Sequence, residues 1–146
     1  LKMEIKLIKI LKIFIKLLKK KNIQILFESD FNPKKLKNFI NKFDKDLFGI
    51  NYDLGNSASL GYDINEEFES YFEFIKNIHI KDRILNGNTV RLGKGNANFN
   101  KFFKNLKKYR YNNMLIYQTA RSNQNNDIEE LKKNISFIRK KILQYA

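Results

Sequence analysis

Residues 47–80 read LFGINYDLGNSASLGYDINEEFESYFEFIKNIHI, and this stretch decides the fold class. Leu47 to Tyr52 is an apolar run of strand length that ends in Asp53, Asn65 to Phe74 reads as a helix, and Ile75 to Ile80 reads as a second strand ending in Lys81-Asp82. A strand, a helix and a strand in that order form a βα unit with parallel strands. The pattern extends in both directions. Upstream, Asn22 to Phe27 is strand-like and ends in Glu28-Ser29-Asp30; Asn32-Pro33 then opens a helix over Lys34 to Phe43, with Pro at its first position. Downstream come a helix over Asn98 to Lys108, a strand over Asn113 to Gln118 and a closing helix over Asp127 to Leu143. At the start, Lys2, Lys6, Lys9, Lys12, Lys16 and Lys19 recur at steps of three and four, which makes Leu1 to Leu18 an amphipathic helix with a wide apolar face. A membrane-surface helix has the same pattern. Because this one runs straight into a strand, the outer helix of a layered domain is the better reading. The expectation is an α/β chain with four parallel strands and five helices.

With 146 residues, 42% of them hydrophobic, the chain can bury one core, so one domain or part of a larger one is expected. The absence of Cys excludes a disulfide scaffold, a thiolate metal site and a thiol nucleophile, and makes a reducing, cytoplasmic setting the default. A single His excludes a His-rich metal cluster within this chain. Carboxylates and amides must therefore carry any chemistry. The formal charge of +14 suggests an anionic partner such as nucleic acid. The excess is mostly Lys, with only five Arg, whereas base-reading and phosphate-clamping surfaces lean on Arg. Lys, Asn, Ile and Phe also have A/T-rich codons, so the bias follows from an AT-rich genome as readily as from nucleic-acid binding. The apolar residues of 1–18 are interrupted by Lys and make neither a secretory signal nor a membrane span. Leu rather than Met at position 1 points to an alternative start or to a segment of a longer chain.

All four strands end in a polar or ionisable residue: Glu28, Asp53, His79 and Gln118. In a parallel sheet or barrel the C-terminal strand edge is where sites are built. Four such groups converging from adjacent strands make a metal-site constellation. Residues 53–61, with Gly55 and Gly61, read as a turn that lets substrate approach the backbone. Asn86-Gly87-Asn88 and Leu92 to Asn96 read as a long Gly-rich loop without Walker A or GxGxxG spacing, better suited to a substrate lid or rim than to a nucleotide.

These residues resemble the sugar phosphate isomerase/epimerase family, the xylose isomerase-like TIM barrels related to the AP endonuclease superfamily. The resemblance is carried by Leu26-Phe27-Glu28, Asn51 to Asn56, Ile78 to Arg83, Leu92 to Gly95 and Tyr117 to Arg121. The spacings of 25, 26 and 39 residues between Glu28, Asp53, His79 and Gln118 make the set specific. It implies an eight-stranded barrel whose last four strands hold a divalent metal through Glu, Asp, His and Glu. Glu28, Asp53 and His79 match the first three ligands; Gln118 stands where the family usually has Glu. Mn²⁺ or Mg²⁺ is the favoured ion, with Zn²⁺ or Co²⁺ as alternatives, and a Gln oxygen ligates such a cation without adding charge or accepting a proton. With Glu28 the one carboxylate base left among the four, aldose–ketose isomerisation through an enediolate fits better than two-base 3-epimerisation. The substrate class is a sugar or sugar phosphate, with Asn56, Lys81, Asp82, Arg83 and Arg121 as its contacts.

A barrel of this type takes about 250 residues and eight strands. Residues 1–146 are therefore expected to form a partial domain, strands five to eight, with an N-terminal half-barrel or a second copy as partner. Two readings stand against the enzyme: a basic nucleic-acid-binding module, and an inactive structural half-barrel.

Overall fold

The computed structural model describes the backbone of residues 2–122 and 126–145, with side chains from Lys6 onward. Strands β1 (Ile25–Phe27), β2 (Phe48–Asp53), β3 (Ile75–Ile80) and β6 (Leu115–Tyr117) form one parallel sheet in the order β1-β2-β3-β6. Between β3 and β6 the short strands β4 (Asp82–Arg83) and β5 (Thr89–Val90) pair as an antiparallel ribbon. The helices are α1 (Lys2–Ile13), α2 (Ile15–Lys21), α3 (Pro33–Ile40), α4 (Leu54–Leu60), α5 (Ile64–Tyr71), α6 (Phe99–Lys108) and α7 (Asp127–Tyr145).

The four-stranded parallel sheet matches the expectation, and three local features differ from it. The first helix breaks at Phe14, and α2 stops at Asn22, which takes the left-handed conformation at φ 52°. Among the described side chains, the stripe Ile8, Leu11, Ile15 and Leu18 packs on the core, while Ile10, Ile13, Phe14 and Leu17 remain exposed. The expected turn at 53–61 is largely a helix, α4, because the Asp53 carboxylate accepts the Asn56 amide and caps it, and Gly61 at φ 72° ends it. The helix expected to reach Phe74 ends at Tyr71 and continues as a 3₁₀ turn over Phe72–Phe74. No helix among the described residues is long and apolar enough to cross a membrane.

Side chains alternate across the sheet, so each face has its own chemistry. On the helix side, Phe27, Phe39, Phe43 and Phe48 form one aromatic cluster, and Tyr52, Phe68, Phe72 and Tyr109 form another. Ile40, Leu54, Ile78, Ile80 and Phe102 are fully buried there. The opposite face carries Asn51, Asp53, Asn77 and His79. Helices α3, α5, α6 and α7 touch in that order along the apolar face. Asn32, Asp63 and Asn98 cap α3, α5 and α6 by accepting backbone amides of the first turn.

One buried carboxylate locks β2 to α4 and α5. Glu67 is 2% exposed and accepts hydrogen bonds from Tyr52 Oη (2.8 Å), Ser57 Oγ (2.5 Å) and Tyr71 Oη (2.9 Å). Burial pushes its carboxyl above the ordinary range, against the pull of the three hydroxyls. The folded protein thus retains a proton on Glu67 that the unfolded chain releases. This contribution to stability is full below the unfolded value of about 4.3 and is lost as pH rises through the folded value. Glu67→Gln is expected to gain stability relative to the parent chain as pH rises across that window, measured as the difference in urea midpoints. A difference that does not change with pH refutes the assignment.

Candidate metal and substrate site

Register brings the site together. Asp53 on β2 pairs with His79 on β3, and Glu28 follows directly on the β1–β2 pair Phe27 and Ile50. The Gln118 amide donates to the Ile80 carbonyl (3.0 Å), extending the β3–β6 pairing by one step. Alternation along the strands puts Asn51 and Asp53 of β2, and Asn77 and His79 of β3, on the face away from the helices, and Lys81 follows one residue past the end of β3.

Glu28, Asp53 and His79 each offer one ligand atom within 4.8 Å of the others. His79 Nδ1 is 3.6 Å from Glu28 Oε2 and 4.0 Å from Asp53 Oδ2. Ligand atoms about 2.1 Å from a shared ion lie roughly 3 to 4.2 Å apart, a range that holds both His79 distances. Two carboxylates, an imidazole and the nearby Gln118 oxygen form a donor set suited to a divalent cation. Beneath them, Asn51 Nδ2 donates to Glu28 Oε2 (2.8 Å) and lies 3.2 Å from His79 Nδ1, while Asn77 Nδ2 donates to Asn51 Oδ1 (2.6 Å). This partly buried amide chain orients Glu28 and His79 from below.

Above the ligands, Asn56 donates to Glu28 Oε1 (3.2 Å), and its Oδ1 accepts from Lys81 Nζ (3.3 Å) and Arg83 Nη1 (2.9 Å). Lys81 Nζ also donates to Asp53 Oδ2 (3.3 Å) and Gln118 Oε1 (3.0 Å). Arg83 is held from behind, its Nε and Nη2 donating to the Gly87 carbonyl. Of the residues expected at the site, Glu28, Asp53, His79, Gln118, Asn56, Lys81 and Arg83 therefore share one bonded network.

Two do not. Asp82 is fully buried: Oδ2 accepts the Gly93 and Gly95 amides (2.8 and 2.9 Å) and Oδ1 the Ala97 amide (3.0 Å). Asp82 is therefore a buried anchor for the loop: three of its roughly four lone-pair sites accept loop amides, and none of its surface is exposed at the rim. The Gly-rich segment, expected as a substrate lid, is pinned down by this carboxylate and by the β4–β5 ribbon. Arg121 is exposed in a separate cleft of about 640 Å³ beside Arg91, Lys94 and Lys133, which none of the three metal-ligand candidates lines. In that cleft Arg91 grips the buried Glu130 with two hydrogen bonds, at 2.5 and 2.6 Å. The sequence reading missed Asn51 and Asn77. The available signal was an Asn two positions before Asp53 and before His79, each on the same strand as the ligand it precedes.

The family of xylose isomerase-like TIM barrels matches residues 3–141, and the chain belongs to it. Among solved structures, a xylose isomerase domain protein from Planctomyces limnophilus superposes with a TM-score of 0.82 at 17% identity, covering 96% of this chain and 54% of that one. A D-tagatose 3-epimerase-like protein gives 0.63 at 17% identity, over 92% of this chain and 55% of that one. A sugar phosphate isomerase/epimerase from Parabacteroides distasonis ATCC 8503 gives 0.57 at 18% identity, over 70% of this chain and 34% of that one. Identities this low establish the shared fold alone. The chain spans about half the length of the Planctomyces and tagatose-epimerase-like structures and a third of the Parabacteroides one. No curated protein matches it.

Removing the Asp82 anchor tests its structural role. Asp82→Asn replaces an acceptor with a donor facing backbone amides and is expected to cost about 2–4 kcal/mol. Hydrogen exchange at Gly93, Gly95 and Ala97 should accelerate well beyond that at β2. Unchanged protection of these three amides contradicts the assignment.

Proposed function

We propose that this chain supplies the metal-binding and proton-transfer half of a sugar or sugar-phosphate isomerase/epimerase. The observation that carries the reading is the Glu28–Asp53–His79 group, whose ligand atoms lie within 4.8 Å on three adjacent strand ends. Glu28 is the most exposed of the three, with 40% of its side chain accessible against 2% for Asp53 and 19% for His79. It is the carboxylate that a substrate can reach. Asn51 and Asn56 each donate to one of its oxygens, which orients the carboxylate. In aldose–ketose isomerisation Glu28 removes the proton from the carbon next to the carbonyl and returns it to the former carbonyl carbon of the enediolate, while the hydroxyl proton passes from one enediolate oxygen to the other. A bound divalent ion supplies Lewis-acid stabilisation of the developing oxyanion charge. Glu28, Asp53, His79 and Gln118 would hold that ion, Mn²⁺ or Mg²⁺ by donor chemistry. Asn56, Lys81 and Arg83 line the rim where substrate oxygens or a phosphate bind. Gln118 cannot accept a proton, so a second base is missing from the opposite side, and one-base isomerisation is favoured over 3-epimerisation.

The four strands of the sheet serve as strands five to eight of the barrel in this reading. Edge strands β1 and β6 then pair with an N-terminal half-barrel or with a second copy. Met114 and Ile116, 68% and 41% exposed, lie in and beside the β6 edge that such pairing covers. The Cys-free composition supports a reducing, cytoplasmic setting in this reading.

The test is a screen of aldoses, ketoses and their phosphates with Mn²⁺, followed by the best substrate with Glu28→Gln. Loss of turnover by about 10²–10⁴-fold, with partial transfer of substrate deuterium to product, is the expected result. Full turnover by Glu28→Gln refutes the role of Glu28. A 3-epimer as the product, with all label lost to solvent, replaces one base with two. Absence of turnover together with duplex binding that weakens steeply with salt moves the function to nucleic acid.

A further inference from the structure

Lys81 sits at the mouth of the proposed metal site with its side chain 15% exposed. An ammonium has three N–H groups, and this one meets three acceptors, at the end of β2, in α4 and just past β6: Asp53 Oδ2, Asn56 Oδ1 and Gln118 Oε1, at 3.3, 3.3 and 3.0 Å. Two of these residues are ligands in the proposed site. Asp53 Oδ1 is committed to the Asn56 amide at the head of α4, so Oδ2 is the oxygen left for a cation, and the ammonium already bonds it.

The arm has a built seat. A Cβ on Gly55 would stand 2.6 Å from Lys81 Cγ, 2.9 Å from Cβ and 3.0 Å from Cδ, so the stem lies across the first turn of α4 only because residue 55 has no side chain. This position otherwise favours Ala, which is about 1 kcal/mol better than Gly inside a helix. The unsubstituted backbone thus serves the lysine rather than the helix.

We infer that Lys81 is a tethered cation that competes with the divalent ion for Asp53 Oδ2 and Gln118 Oε1, and that Gly55 exists to seat it. Filling the site requires the ammonium to release both oxygens, and the released ammonium then faces the substrate side of the rim. Lys81 is a positioning residue in this scheme: it holds the ligands in place without metal and lowers metal affinity. The amide at 118 suits the arrangement, since it gives the ammonium an acceptor without adding charge.

This inference rests on the metal reading above, and Mn²⁺ calorimetry separates the two. The chains compared are the parent, Lys81→Met, Gly55→Ala, and Lys81→Met combined with His79→Ala, each checked for folding by thermal melting. Lys81→Met keeps the stem and removes the charge, so it should tighten Mn²⁺ binding at least about tenfold. Gly55→Ala pushes the arm off its seat and should shift affinity in the same direction with an unaltered ligand set. The double variant should lose binding. An affinity that stays the same or weakens in both Lys81→Met and Gly55→Ala overturns the competition and leaves the metal site standing. Binding that survives His79→Ala, or that no chain shows, overturns the metal reading and the competition with it.

Discussion

Asp53 has two carboxylate oxygens, and the rim is organised by how they are divided. Oδ1 accepts the Asn56 amide and starts α4 directly from the end of β2, with no intervening loop. That abrupt turn brings Asn56 back over the strand ends, where its side chain reaches Glu28 on one side and Lys81 and Arg83 on the other. Oδ2 is left facing His79 and Lys81. With Asp53 only 2% accessible in its side chain, water cannot substitute for either partner, so both bonds carry structural weight. The geometry of every other polar group at the mouth follows from this division.

The sheet is finished on one face only. Its helix side is closed by Phe and Tyr clusters and by fully buried Ile and Leu, as a barrel's outer layer requires. Its other face carries a column of amides and ionisable groups, Asn77, Asn51, Glu28 and His79, linked from the buried layer to the mouth. An amide is a sound choice beneath a cation site: it donates upward and accepts from below, passing orientation along without adding charge. The Asn77 side-chain oxygen, Oδ1, at the bottom of the column is buried without a hydrogen-bond partner, which leaves this end of the chain of amides the least satisfied.

The four parallel strands and their polar ends could be read from sequence because hydrophobic pattern and strand length are local signals. What escaped the reading depended on contacts distant in sequence. Residues 53–61 looked like a turn from two Gly and two Ser, yet Gly55 serves a lysine twenty-six positions away and Gly61 merely ends the helix. Asp82 looked like a rim group because it follows a strand end, but an acidic residue beside a Gly-rich segment can equally be that segment's internal anchor. Burial decides between these, and burial depends on Gly93, Gly95 and Ala97 folding back across the ribbon. Glu67 was invisible for the same reason: a helix glutamate reads as solvated until Tyr52, Ser57 and Tyr71 are seen to surround it.

At 17% identity and a TM-score of 0.82, most side chains have changed between this chain and the Planctomyces protein while the backbone path has persisted. That outcome is expected of a parallel sheet, whose apolar face accepts many side chains of suitable size. The mouth is less tolerant. A core Phe can be exchanged for Leu at the cost of repacking, but Asn56 bonds Glu28, Lys81 and Arg83 at once, and no apolar residue of similar volume replaces even one of those bonds. Removing it would leave a carboxylate oxygen and two cations to find new partners in a site where neighbouring acceptors are already engaged. The chemistry of this chain is therefore concentrated in a few side chains at the strand ends, and the fold constrains them through backbone register rather than through the identity of its core.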